Sequence, residues 1–261
     1  MLKVRVIPTL LWKQFGLVKG VGFDSWRRVG PVLPAIKVYN QREVDELVLV
    51  DIVAHQSNDE LDFESVNEFG QDCFVPLTVG GGITRIGQVQ KLLRAGADKV
   101  SVNTAAYSHP ELVSEIAKRH GAQCVVASID VRKDPVGESW QCFSRAGRHP
   151  TGREVREWAR EIEDRGAGEI LITSIERDGT LQGYDLALIE AVVTAVTIPV
   201  IASGGAGNYQ HMIDAVKSAG ASAVAAASIF HFTEQTPAGA KAAMQAAGIP
   251  VRRNFVGSVE N

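Results

Sequence analysis

Two carboxylates and two glycine turns carry most of the chemistry this sequence could perform. Asp51 lies at the end of the apolar run 47–52, and Asp130 follows the run 124–129. A carboxylate in such a place costs desolvation unless it is paired or used to move protons. For Asp51 a structural hydrogen bond to a loop N–H is the competing reading. The glycine turns, residues 80–82 and 204–207, suit anions. Without Cβ the backbone approaches closely, and the helix start behind each turn offers free N–H groups and a positive dipole end. Glycine also fits any tight turn, but the turn occurs twice, which points to two phosphate sites. Asn103, Thr104 and Ser228 add amide and hydroxyl groups at neighbouring strand ends. Thr173 ends another strand, and Asp178 with Gly179 forms a further tight turn. Lys19, read as part of a glycine-flanked loop, either reaches an anion or sits in solvent.

A second set of charges falls at the opposite ends of the runs. Arg5, Glu46, Lys99 and Glu169 stand at or near the starts of four of them. Pointing inward, two cations and two anions would make a balanced ring, in which partial burial is tolerated. Pointing outward, they would be four unrelated snorkelling ends. The six histidines show no i, i+4 pairing with an acid, so no H-E-x-x-H metal site is present, and there is no G-x-S-x-G elbow. Each histidine reads as a surface or packing residue. Neither a metal nor a cofactor is called for.

These residues need a scaffold that brings strand ends together. Eight apolar runs of four to six residues alternate with stretches of helical periodicity, the signature of strands buried on both faces of a parallel sheet. Eight such pairs in 261 residues predict an α/β fold, a (β/α)8 TIM barrel forming a single domain over residues 1–261. The duplicated glycine turns divide it into two half-barrels. The polar stretch 131–150 reads as a hairpin insertion. A doubly wound open sheet is the alternative, and it lacks a G-x-G-x-x-G after the first strand. In a barrel the active site sits at the C-terminal ends of the strands, where Asp51, Asp130 and the glycine turns fall. Lys plus Arg make 27 and Asp plus Glu 30, a net charge of −3 without the basic excess of a nucleic-acid binder. No apolar run is long enough to span a membrane. Three widely spaced cysteines read as reduced thiols of a cytoplasmic protein.

Several of these segments are recognisable. Residues 77–83, 95–106, 168–171 and 201–207, with Arg177-Asp178-Gly179-Thr180 and Gly183-Tyr184-Asp185, resemble the cyclase subunit of imidazole glycerol phosphate synthase over nearly the whole chain. The resemblance implies a barrel that receives ammonia from a partner glutaminase, docked at the N-terminal barrel face as a heterodimer. It implies a phosphorylated small-molecule substrate with two phosphates: one held by Gly82, Asn103 and Thr104, the other by Asp178, Gly179, Gly205 and Ser228. Arg5, Glu46, Lys99 and Glu169 match the family's ammonia gate. Of the family's two catalytic aspartates, Asp130 is present, but Leu11 stands in the place of the other, within Ile7-Pro8-Thr9-Leu10-Leu11-Trp12. A leucine transfers no proton, and loss of one acid–base group typically costs ~10²–10⁴-fold in rate.

Gate without acid matches divergent relatives found with an N-acetyl-sugar amidotransferase in surface-polysaccharide (lipopolysaccharide) biosynthesis. The first expectation is therefore a cyclase-like subunit relaying glutamine-derived ammonia for conversion of an acetamido to an acetamidino group. The alternative is a true cyclase, a lyase of histidine biosynthesis, whose acid has moved, to Asp51 or His55 for example. A non-catalytic phosphate-binding scaffold and a related sugar-phosphate isomerase complete the field. Lys19, Asp51 and Thr173 are the further substrate-site candidates.

Overall fold

The computed structural model describes residues 2–13, 16–54, 61–137 and 139–252. In the first half, β1 (Arg5–Lys13) leads into an antiparallel hairpin of β2 (Gly16–Val21) and β3 (Asp24–Gly30), then α1 (Val32–Gln41) and β4 (Leu47–Asp51). There follow α2 (Phe63–Gln71), β5 (Leu77–Gly80), α3 (Ile86–Arg94), β6 (Lys99–Val102), the short α4 (Thr104–Ser108) and α5 (Glu111–His120). The second half contains β7 (Val125–Lys133), β8 (Trp140–Ser144), β9 (His149–Glu154), α6 (Val155–Asp164), β10 (Glu169–Ser174) and α7 (Leu186–Val193). It ends with β11 (Val200–Ser203), α8 (Tyr209–Lys217), β12 (Ala223–Ala226), α9 (Ser228–Phe232) and α10 (Pro237–Ala246).

Eight of the strands are parallel neighbours in the order β1, β4, β5, β6, β7, β10, β11, β12, and β12 pairs with β1 to close the barrel. This is a (β/α)8 barrel. Sequence punctuation explains the boundaries. Asp185 and Asn208 cap α7 and α8 by accepting the N–H groups of Leu188 and His211. Gly96 follows α3 with φ of 104°, a left-handed residue past a helix end. Among the described residues no helix is long and apolar enough to cross a membrane.

Period-two alternation sorts each strand between two cores. The outward residues, such as Leu10, Leu49, Val79 and Ile172, pack under the helices with Trp158 and Ile162 in one large cluster. The inward residues form layers. On β1 these are Arg5, Ile7, Thr9 and Leu11; on β10, Glu169, Leu171 and Thr173. Ile7, Val48, Val126, Leu171, Ile201, Ala223 and Ala225 make a separate apolar cluster inside the barrel. Charges lie below it and a polar cavity above.

One local expectation is corrected. Lys19 is not in a loop: β1 extends to Lys13 and pairs antiparallel with β2, which carries Lys19. Phe74 precedes β5 and is 80% exposed. Arg153 belongs to β9, which pairs with β8 beside an extended β7. Residue 138 of that hairpin region lies outside the described residues.

Candidate active site

A cavity of about 710 Å³ opens at the C-terminal ends of the barrel strands. It brings together residues far apart in sequence: Lys19, Asp51, Gly82, Asn103 and Thr104 from the first half, Asp130, Thr173, Asp178, Gly179, Gly205 and Ser228 from the second. The two glycine turns face it with matching backbone. Gly81 and Gly82 have φ of 104° and 66°, Gly204 and Gly205 of 86° and 110°. Both turns lean on a neighbouring carbonyl. A Cβ on Gly81 would stand 2.1 Å from Asp51 O, and one on Gly205 2.2 Å from Gly183 O. Only glycine satisfies both the dihedral and the close approach.

Asp130 is 8% exposed at the end of the barrel segment of β7. Burial pushes its carboxyl up to about 7, the nearby Asp178 pushes the same way, and the hydrogen bond from Asn103 opposes them. That bond runs from Asn103 Nδ2 to Asp130 Oδ2 at 2.6 Å. Asn103 Oδ1 and Ser228 Oγ, both at the cavity, are buried without a partner among the described residues, as is Thr9 Oγ1. Asp178 is committed to Lys19: Nζ lies 2.6 Å from Oδ2, and the Lys19 side chain is only 3% exposed. The Asp178 carboxylate is thus a lysine partner rather than an anion's. Asp51 Oδ1 accepts the N–H groups of Val53 and Ala54, the structural bond that competed with a chemical role. His55 lies outside the described residues.

Leu11 lines the same cavity. From β1 the cavity is lined by the Thr9 hydroxyl and the Leu11 isobutyl side chain, neither of which titrates. The sequence reading missed further lining. Phe23 at the β2–β3 turn and Arg145 with Ala146 at the β8–β9 turn reach the cavity, and Arg145 N donates to Thr104 Oγ1 at 3.0 Å. Phe23, Arg145 and Ala146 all have positive φ, a conformation side-chain identity does not announce.

At the other end of the barrel the four charges do form a closed ring. Arg5 reaches Glu46 at 2.6 Å and Glu169 at 2.9 Å, and Lys99 reaches each glutamate at 3.2 Å. All four side chains are 20% exposed or less. Two cations and two anions alternate, so each charge faces two of opposite sign. His231, read as a surface or packing residue, is the latter: burial and Lys19 hold its imidazole down near 4, and it packs edge-on against Tyr39. Among the described residues no group of three or more His, Cys, Asp or Glu could hold a metal.

This geometry matches what sequence comparison finds. The family model described as "Histidine biosynthesis protein" matches residues 5–236. The chain is 50% identical over 252 residues to the imidazole glycerol phosphate synthase subunit HisF of Hyphomonas neptunium, covering 97% of this chain and 99% of that protein. The chain therefore belongs to the histidine biosynthesis protein family and resembles the cyclase subunits of imidazole glycerol phosphate synthase within it.

Proposed function

We propose that the chain is the ammonia-accepting cyclase subunit of an imidazole glycerol phosphate synthase, working with a glutaminase subunit docked at the ring face. One observation carries the reading: a charged ring and a phosphate-suited cavity lie at opposite ends of one barrel, with an apolar layer between them. Ammonium is held back at such a layer by desolvation, whereas neutral ammonia crosses it at far lower cost. The ring of Arg5, Glu46, Lys99 and Glu169 acts as the gate. Above the layer, the Gly82, Asn103 and Thr104 wall takes one phosphate, and the Gly179, Gly205 and Ser228 wall takes the other. Lys19, neutralised by Asp178, is the cation between them. Asp130, with a carboxyl near 7, both donates and accepts a proton at neutral pH, as a general acid–base must.

A specific observation favours a second reading. Leu11 leaves the β1 wall without an acid, so the same barrel could bind and relay without cyclising. It would then deliver ammonia to an N-acetyl-sugar amidotransferase that makes an acetamidino sugar for a surface polysaccharide. One experiment separates the two. The purified chain is mixed with the phosphoribulosyl-formimino substrate and excess ammonium. Loss of substrate supports the cyclase. Calorimetric binding of substrate without turnover supports the relay, and absence of both overturns the phosphate assignments that the two readings share.

A further inference from the structure

The glycine turn after β11 is held from behind by two side chains that do not line the cavity. His211, in the first turn of α8, accepts the N–H of Gly207 at Nδ1 over 3.1 Å. Gln235, beyond α9, donates from Nε2 to the carbonyl of the same Gly207 over 2.8 Å. Both polar groups of one peptide residue are thus engaged by side chains from two different segments. Gly207 has no freedom to host anything larger, since a Cβ there would lie 1.9 Å from Leu181 O.

The imidazole is itself fixed. Asn208 Oδ1 accepts the backbone N–H of His211 at 3.0 Å. One ring face rests on Gly183, where a Cβ would stand 3.5 Å from three ring atoms. Gly183 in turn donates its N–H to Gly205 O at 2.7 Å. The turn is therefore clamped at both flanks, at Gly205 O by Gly183 and at Gly207 by His211 and Gln235. What remains for the cavity wall is the stretch Gly204 to Ala206, all of which lines it.

We infer that His211 and Gln235 are positioning residues for the second anion site: by fixing Gly207 they set the peptide planes of Gly205 and Ala206 that an anionic oxygen meets. The inference rests on the phosphate reading of this turn. It requires a hydrogen-bond acceptor at 211. The ring must accept at Nδ1, so a glutamine, which can offer Oε1, substitutes in kind, and a leucine does not. Supporting groups of this sort typically change ligand affinity about tenfold or more when removed.

The test is amide NMR of the full chain titrated with sulfate, which stays a dianion across neutral pH. In the wild-type chain sulfate shifts the amides of Gly205 and Ala206 and, independently, those of Gly82 and Asn103. The inference expects His211→Leu and Gln235→Leu to weaken sulfate at Gly205 and Ala206 about tenfold while leaving Gly82 and Asn103 unchanged, and His211→Gln to stay within about threefold of wild type. Unchanged affinity at Gly205 in His211→Leu overturns it. Equal loss at both turns overturns it too, because that marks a general effect on folding. Absence of wild-type shifts at either turn sinks the phosphate reading itself, and this inference with it.

Discussion

Replacing Asp130 by asparagine should stabilise this protein, by an amount that grows as the pH rises from about 4 to about 7. Asp130 carries a carboxyl raised from an ordinary 3.8 to about 7, first by burial and then by Asp178. A folded-state pKa above the unfolded one means that the folded chain binds more protons between those values. The stability tied to this group is therefore complete below pH 4 and is lost as pH rises through 7. Each pH unit within the window costs about 1.4 kcal/mol. From pH 5 to pH 8 the wild type should lose at most about 3 kcal/mol by this route, and about 1–3 kcal/mol once water in the open cavity screens the charge. The substituted carboxamide has no charge to desolvate, and its carbonyl can still accept the 2.6 Å bond from Asn103 Nδ2. At roughly 2–4 °C per kcal/mol for a chain of this size, the melting temperature of Asp130→Asn relative to wild type should rise by about 2–12 °C between pH 5 and pH 8. Thermal unfolding followed by circular dichroism at the two pH values reads this directly. A gap that is the same at both, or that shrinks at pH 8, refutes the reasoning. The same variant should lose ~10²–10⁴ of any cyclase turnover, the combination expected of a group that is costly to keep and used for chemistry.

Other substitutions test the remaining parts. Leu11→Asp returns a carboxylate to the β1 wall, and cyclase turnover with ammonium should rise at least about tenfold; no gain would mean that another group already supplies the proton. Lys99→Met leaves Glu46 and Glu169 sharing only Arg5. Because these side chains are partly exposed, the loss should be about 1–3 kcal/mol in urea unfolding rather than the larger cost of a fully buried broken pair. Under the cyclase reading the same variant should separate glutamine-dependent from ammonium-dependent turnover, and equal effects on both would count against a gate. Gly205→Ala puts a Cβ 2.2 Å from Gly183 O at φ of 110°, and a loss of about 2 kcal/mol or more is expected from denaturant midpoints; a loss under half of that would show the turn to be pliable.

What could be read from the sequence follows from the range of each interaction. Strands such as the one carrying Ile170, Leu171 and Ile172 are legible because burial on both faces makes their middle apolar. The glycine turns are legible because positive φ twice in succession restricts residue type. The β2–β3 hairpin is not. β3 reads Asp24-Ser25-Trp26-Arg27-Arg28-Val29-Gly30 and is largely exposed, so no apolar run marks it. Lys19 therefore looked like a loop residue, and its partner Asp178 is 159 positions away. The carboxyl of Asp130 likewise depends on burial and on Asp178, which only closure of the barrel supplies. The ring of Arg5, Glu46, Lys99 and Glu169 lies between. Placement at strand starts is written in the sequence, but inward or outward is not; in the structure Arg5 shares the inner face with Ile7 and meets Glu46 and Glu169 there.

Cost gives a further argument about Leu11. Buried ion pairs are a weak source of stability, and apolar replacements often do as well or better. The ring at one end of the barrel is therefore not something the fold requires, and neither is an aspartate held near neutrality at the other. Both are arrangements that a purely structural barrel would be more stable without. Between them, on β1, the inward positions run from Arg5 through Ile7 and Thr9 to Leu11, and the last is the kind of residue such a barrel would choose. One wall of the cavity thus follows the economy of a core while everything around it follows that of a reaction site. A general loss of function should instead spread through the site, relaxing the ring, the Lys19–Asp178 pair and Asp130 as well. The ring, the Lys19–Asp178 pair and the raised Asp130 are all in place around Leu11, which is why turnover and substrate binding must be measured on the same sample.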